Sequence, residues 1–230
     1  MTDGEEAASV GAANSGRASE GILYVLTNER LPDLVKIGIV ERGSTATDLQ
    51  KRVTEISGAT GVPLPFEVHY AVRLRDPRSL ERKLSRLFGE ERVNPRREFF
   101  EIDPEKAVIA IGIGDHEELV AVETGAEDAA EQAALEKAKS RRPPINMMRL
   151  GLNVGEELTF TRDDTITATI VDGKQIDLDG QSMTLSAAAG LVLGRMGRSN
   201  TSVAGSQYWA YNGETLEALR HRLEREVVEE

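Results

Sequence analysis

The chain contains no cysteine, so it can form neither a disulfide framework nor a thiolate metal site, and a reducing compartment is permitted. Its three histidines, His69, His116 and His221, stand far apart and show no zinc-ligand spacing. No apolar run approaches the ~20 residues needed to span a bilayer, and the acidic, small-residue-rich start is not a signal or transit peptide. No membrane contact is expected, and a cytoplasmic protein is the default expectation. GxSxG, Walker and GxGxxG motifs are also missing; "GLVLGRMGRS" sets its glycines in a helix end and lacks the lysine. No internal repeat is visible.

An excess of positive charge is missing too. The net charge of −11 argues at first against nucleic acid, which attracts a positive surface. The distribution changes that reading. Residues 1–20 carry about −3, 21–104 about +1, 105–140 about −6 and 141–230 about −3. The segment 21–104 holds half of all Lys and Arg, and it alone is suited to approach a polyanion.

At 230 residues the chain has room for two small domains. Residues 1–19 have few large apolar side chains and read as a disordered acidic tail. Residues 20–112 then supply the elements of a small α/β domain. Gly21 to Thr27 and Val35 to Val40 form a hairpin. "TATDLQKRVTEIS" opens with a capping box from Thr47 to Gln50 and carries Leu49, Val53 and Ile56 on one face. In "PFEVHYAVRL", Phe66, Val68, Tyr70 and Val72 alternate as in a strand. Asp76-Pro77 starts a helix with Leu80, Leu84, Leu87 and Phe88 inward; "REFFEID" and "PEKAVIAIGI" add a short strand and a third helix. Residues 113–145 are rich in Ala and Glu and read as an exposed helical linker. Residues 146–230 read as a small α+β accessory domain. It has three strands with Asp-Gly turns, a helix capped by Ser186, and a final helix with Leu216, Leu219, Leu223 and Val227 inward.

Four polar residues interrupt otherwise inward faces. Tyr24 lies in the most apolar strand, Lys36 shares a strand face with Gly38, Arg52 falls within the stripe of Leu49, Val53 and Ile56, and Glu81 adjoins Leu80. Packing alone accounts for these if Tyr24 is a core aromatic and Arg52 and Glu81 form an ion pair at the helix sides.

"GILYVLTN" followed by "LVKIG" resembles the two signature strands of the GIY-YIG nuclease superfamily, in the phage-type subgroup whose second signature reads Lys-Ile-Gly. The downstream stretches "KRVTEISGATGVPLPFEV" and "RSLERKLSRLFGEERVNPRREFFEID" fit the same subgroup, so the resemblance covers about residues 21–110. It implies a compact domain around a three-stranded sheet that cleaves a phosphodiester with one divalent ion, Mg²⁺ or Mn²⁺. Tyr24 then matches the tyrosine that aids water activation, Arg52 the arginine on the scissile phosphate and Glu81 the metal-binding carboxylate. The chemistry wants these types. A hard cation prefers carboxylate oxygen, developing phosphoryl charge suits a guanidinium fork, and a tyrosine near a metal and an arginine is expected to have a lowered pKa.

The sequence departs from that pattern in three places. Lys36 stands where many relatives have the second signature tyrosine, which shifts the role from proton relay to electrostatic clamp. Ile56 replaces a histidine found four residues after the arginine. Asn94 and Glu98 are the two candidates for the late asparagine, and Gly38 supports the site.

The stretch from "LGLNVGEELTF" to "SVAGSQYWAYNGETLEAL" resembles a restriction-enzyme adenine-methylase-associated (RAMA) module, whose suspected role is sensing of DNA or modified bases. Trp209, with Tyr208 and Tyr211, is a candidate for base stacking, although sealing the core is the favoured reading for at least two of the three. Arg195 and Arg198 are candidates for phosphate contact. The leading expectation is a metal-dependent DNA endonuclease. A non-catalytic nucleic-acid binding or sensing protein on the same scaffold and a protein–protein adaptor are the alternatives.

Overall fold

Residues 21–26 are apolar at almost every position, which suits a strand covered on both faces. In the computed structural model, which describes residues 20–41, 45–119, 124–141, 144–197 and 203–228, this run is β1 (Glu20–Thr27), the centre of an antiparallel sheet. β2 (Val35–Val40) and β3 (Glu67–Arg75) flank it. The two-residue strands β4 (Phe99–Phe100) and β5 (Glu117–Glu118) close the edges in the order β4-β2-β1-β3-β5. The expected three-stranded sheet is the middle of a five-stranded one.

Alternate residues of β1 feed two cores. On one face Ile22, Tyr24 and Leu26 pack with Leu49 and Val53 of α1 (Ala46–Ser57). On the other, Leu23 and Val25 meet Leu84 of α2 (Pro77–Leu87) and Ala107, Val108 and Ile111 of α3 (Pro104–Gly112). Asp76 caps α2 and Pro77 opens it, as expected. Leu87 is 63% exposed, because the helix ends there and Phe88, its C-cap, turns inward instead. The capping box of α1 is Thr45 with Asp48, not Thr47 with Gln50. Thr45 directly precedes the first helical residue, and the Asp48 carboxylate reaches back to its N–H at 3.2 Å.

Residues 113–145 do not form a free connector. β5 pairs with β3, Gly125 N–H donates to the Phe66 carbonyl at 2.8 Å, and Lys139 of α4 (Ala129–Arg141) pairs with Glu67 at 2.5 Å. Leu135 is buried. An open β3 edge would leave unpaired N–H and C=O groups, and this segment covers it. The tail 1–19 lies outside the described residues.

The second unit is a six-stranded antiparallel sheet of β6 (Glu157–Phe160), β7 (Asp163–Ile170), β8 (Gln175–Leu178), β9 (Gln181–Thr184), β10 (Trp209–Tyr211) and β11 (Glu214–Thr215). Its order is β11-β10-β6-β7-β8-β9. The helices α5 (Leu185–Arg195) and α6 (Leu216–Val228) supply Leu185, Ala188, Val192, Leu193, Leu216 and Leu219 to its core. Leu223 packs against that core, and the Val227 side chain lies outside the described residues. Thr184 caps α5; Ser186 instead accepts the Gly205 N–H at 3.1 Å, which ties the loop before β10 to the helix. With two antiparallel sheets and six α-helices among the described residues, the chain is a two-domain α+β protein.

A bulge joins the two units. Val25 lies opposite Tyr70 and Leu26 opposite Val68, so His69 is an extra residue on β3. The extra residue switches faces. Phe66 and Val68 pack in the α1 core while Tyr70 and Val72 pack in the other, although simple alternation put all four together. His69 meets the Glu105 carboxylate at 2.5 Å. Arg162, in the β6–β7 turn, reaches across from the second unit. Its Nη2 donates to Glu105 Oε1 at 3.1 Å, and its Nε lies 3.1 Å from Oε2. Its guanidinium carbon lies 4.8 Å from the Tyr70 ring and 5.6 Å from the Tyr208 ring, so π faces cover a charge that carboxylate oxygens only partly surround. Thr215 adds a hydrogen bond to Asp103, the N-cap of α3, at 2.6 Å.

Candidate active site

Cross-strand partners share a face, so the pairings Tyr24–Gly38 and Leu26–Lys36 put Tyr24, Gly38 and Lys36 on the α1 side of the sheet. A Cβ at position 38 would lie 2.6 Å from the Tyr24 hydroxyl oxygen and 2.7 Å from the ring carbon that bears it. Glycine is therefore needed here for space: it lets the ring lie across β2 and carry its hydroxyl toward the sheet edge. The ring is buried, and the Arg52 guanidinium lies close enough to the hydroxyl to act on its ionisation. Arg52 reaches it because it follows Leu49 by three positions and precedes buried Val53, at the rim of the inward face of α1. It also makes an exposed ion pair with Glu55 at 3.4 Å.

Lys36 is buried, which requires a partner. β4 provides it: Phe99 lies opposite Lys36, and the Nζ donates to Glu98 Oε2 at 2.6 Å while sitting 5.2 Å from the Phe99 ring centre. The fourth residue, Glu81, lies on the second turn of α2. It is partly buried and has no hydrogen bond or ion pair among the described residues. The expected packing pair between Arg52 and Glu81 does not form, because Arg52 lies beside Tyr24 and pairs with Glu55.

These groups feel one another. Burial raises the Tyr24 pKa, the Arg52 guanidinium opposes that, and the charges of Glu98 and Glu81 add to the rise. Burial also raises the Glu81 pKa, with Glu98 adding to it and Lys36 and Arg78 opposing. Tyr24, Lys36, Arg52, Glu81 and Glu98 thus form one electrostatic cluster at the β2–β4 side of the sheet. The lowering expected beside a metal and an arginine is not produced by the arginine alone. Desolvation outweighs the guanidinium, and Tyr24 is a neutral hydroxyl at physiological pH.

Two carboxylates that repel each other, one with no cation bonded to it, are a donor set that a divalent ion would relieve. Among the described residues no group of three or more His, Asp or Glu is arranged to hold a metal. A magnesium-like ion fits this sparse set, because such ions keep several waters and take one or two carboxylates plus substrate phosphate oxygens. Glu81 is the ligand this geometry offers, with Glu98 beside it but engaged by Lys36.

The remaining candidates separate. Asn94 is exposed and builds a turn: its Oδ1 accepts the Arg96 N–H at 2.8 Å and its carbonyl accepts the Arg97 N–H at 2.8 Å. Of the two candidates for the late position, Glu98 is the one that reaches the cluster. Trp209 is not a stacking surface. It is wholly buried, donates from its indole nitrogen to the Leu185 carbonyl at 3.1 Å and packs edge-on against Phe160. Tyr208 is buried between His69 and Phe160. Arg195 is tied to Asp179 at 2.7 Å, and Arg198 lies outside the described residues. Sequence reasoning missed Glu55, which its i, i+3 spacing from Arg52 made readable, and Arg162, which nothing local marks.

Residues 21–112 match the profile of the T5orf172 domain, a span that begins one residue into β1 and ends with α3. No curated protein and no solved structure matches the chain.

Proposed function

We propose that the N-terminal unit is the cutting domain of a metal-dependent DNA endonuclease. The observation that carries this reading is the convergence of Tyr24, Lys36, Arg52 and Glu81 in one electrostatic cluster, from two strands and two helices. The reading is also supported by the resemblance of "GILYVLTN" and "LVKIG" to the GIY-YIG signatures. Arg52 and Lys36 clamp the scissile phosphate and meet the charge that grows on its oxygens. Glu81 would hold a divalent ion, which would supply a more acidic bound water and charge neutralisation at the leaving oxygen. Tyr24, kept neutral by burial, positions the attacking water through its hydroxyl and is itself positioned by Arg52. Glu98 keeps Lys36 in place until phosphate arrives. Residues 146–230, docked through Arg162, act as the accessory unit that helps select the site, with no aromatic stacking from Trp209.

The test is nicking of supercoiled plasmid in Mg²⁺ by the full chain beside Tyr24→Phe, Arg52→Ala and Glu81→Ala. Each substitution is expected to lower the rate at least ~100-fold, the scale of removing one transition-state contact. Cleavage that survives all three would sink the assignment. Salt-sensitive duplex binding without nicking would instead support the non-catalytic binder.

A further inference from the structure

Glu81 and Glu98, the two carboxylates of the cluster, bracket a single excursion of the chain. Between them, residues 82–97 contain six cations and two acids, in a protein whose net charge is −11. The cations are not evenly used. Arg92 is structural: its Nε donates to the Arg97 carbonyl at 2.8 Å and its guanidinium lies over Phe100. Arg82, Lys83 and Arg86 lie on the outer face of α2, exposed, opposite the buried Leu84. Arg82 and Arg86 are one helical turn apart, about 6 Å along the axis. Arg96 and Arg97 are exposed on the turn that Asn94 builds. None of these five side chains has a hydrogen bond or ion pair among the described residues. Elsewhere on this unit exposed Arg52 and Arg78 pair with Glu55 and Glu41, and half-buried Arg73 and Lys139 with Glu117 and Glu67. The other exposed cations without a partner among the described residues, Arg30, Lys51, Arg75 and Lys106, are scattered along the chain rather than gathered in one segment.

We infer that the outer face of α2 and the Asn94 turn form a phosphate-tracking surface that seats a DNA duplex across the Tyr24–Glu81 cluster. The partner is chosen by chemistry as well as charge. Proteins that hold single strands combine cations with exposed aromatic platforms. Among the described residues no aromatic side chain is exposed, and Phe88, Phe99 and Phe100 of this segment are turned inward. A rigid helix carrying unpaired cations at turn spacing, with nothing to stack on, suits a duplex backbone rather than unstacked bases. The choice of DNA rests on the nuclease reading. The surface itself does not require that cutting occur.

The test is fluorescence anisotropy of a labelled duplex of about 25 base pairs with the full chain in EDTA, titrated with salt. Replacing Arg82, Lys83 and Arg86 together by Ala is expected to reduce the slope of log K against log salt by about 3, and Arg96→Ala with Arg97→Ala by about 2, near one unit per phosphate contact. Lys in place of each Arg keeps the slope. Arg30→Ala with Lys106→Ala, exposed cations of the same unit outside this face, leaves it unchanged. A single strand of the same length competes poorly. Unchanged slopes in both basic-face variants, a single strand that outcompetes the duplex, or no duplex binding by the wild type at low salt overturns the inference. Parallel plasmid nicking in Mg²⁺ separates the two claims. Nicking by the wild type with unaltered binding by the variants removes this surface and leaves the nuclease. Slope losses without any nicking keep the surface and remove the nuclease.

Discussion

Two carboxylates in this protein, Glu105 and Glu81, sit in similar company and fare oppositely. Each has cations and an aromatic ring nearby, and burial pushes each toward the protonated form. Glu105 is 2% exposed, yet Arg162 and His69 overcome burial and hold its pKa at about 2. Glu81 is only partly buried, yet its pKa rises, because burial and then repulsion by Glu98 outweigh Lys36 and Arg78, neither of which bonds it. Pairing with both Arg162 and His69 marks Glu105 as a structural joint between two units. Incomplete pairing at a rim marks Glu81 as a group kept ready for something that arrives.

The largest predicted effect breaks the joint. Glu105→Ala leaves Arg162 buried without its carboxylate and is expected to cost about 3–5 kcal/mol in urea unfolding. Glu81→Ala is expected to stay within about 0.5 kcal/mol of wild type in the same assay, with nicking lost. Equal costs for the two variants would erase the contrast. Next comes pH. The folded pKa of Glu105 lies below its ordinary value of 4.5, so its stabilisation is present above pH 4.5 and disappears as pH falls toward about 2. A shift of that size corresponds to about 3 kcal/mol. Glu81 has the opposite sign. Its raised folded pKa makes the charged form unfavourable at neutral pH, and that cost vanishes as pH falls through the raised value. Unfolding of Glu105→Gln and Glu81→Gln against wild type between pH 7 and 3 should show differences that shrink with acid in both cases, destabilising for the first and stabilising for the second.

The two clusters also differ in how much of them the sequence disclosed. Tyr24, Lys36, Arg52 and Glu81 could be picked out because each is a polar residue within a strongly periodic apolar pattern, and that pattern carried the helices and central strands as well. The joint could not. A bulge adds one residue to a strand without changing its composition, so His69 looked like an ordinary alternating position, and Arg162 sits in a turn where an arginine is usually solvated. The edge strands β4 and β5 are two residues long and exist through pairing alone, which no local propensity records. Trp209 failed as a surface residue for a related reason: its sequence neighbours, Tyr208 and Ala210, give no sign that it faces α5 in space.

A smaller effect tests the open cluster from within. Gly38→Ala sets a methyl 2.6 Å from the Tyr24 oxygen, so the ring must shift, at an expected cost of about 1–3 kcal/mol. Nicking should fall as it does for Tyr24→Phe, while duplex binding in EDTA keeps its salt slope. Unchanged nicking would show that the exact seat of the ring is immaterial and would return Tyr24 to the role of a core aromatic.

The smallest expected effect concerns Glu55. Its pair with Arg52 is exposed, spans i to i+3 and is long at 3.4 Å, a geometry whose contribution is at most about 0.5 kcal/mol. If the cluster is kept incomplete for an incoming phosphate, this pair is a resting position for Arg52, and removing it costs almost nothing. Glu55→Ala should therefore unfold within about 0.5 kcal/mol of wild type and nick plasmid at least as well at low DNA concentration, because Arg52 no longer has to leave a carboxylate to reach phosphate. If instead Glu55→Ala loses nicking as Arg52→Ala does, Glu55 is a positioning residue. The open cluster would then depend on its pairs just as the Glu105 joint depends on Arg162, and the contrast between the two would narrow to burial alone.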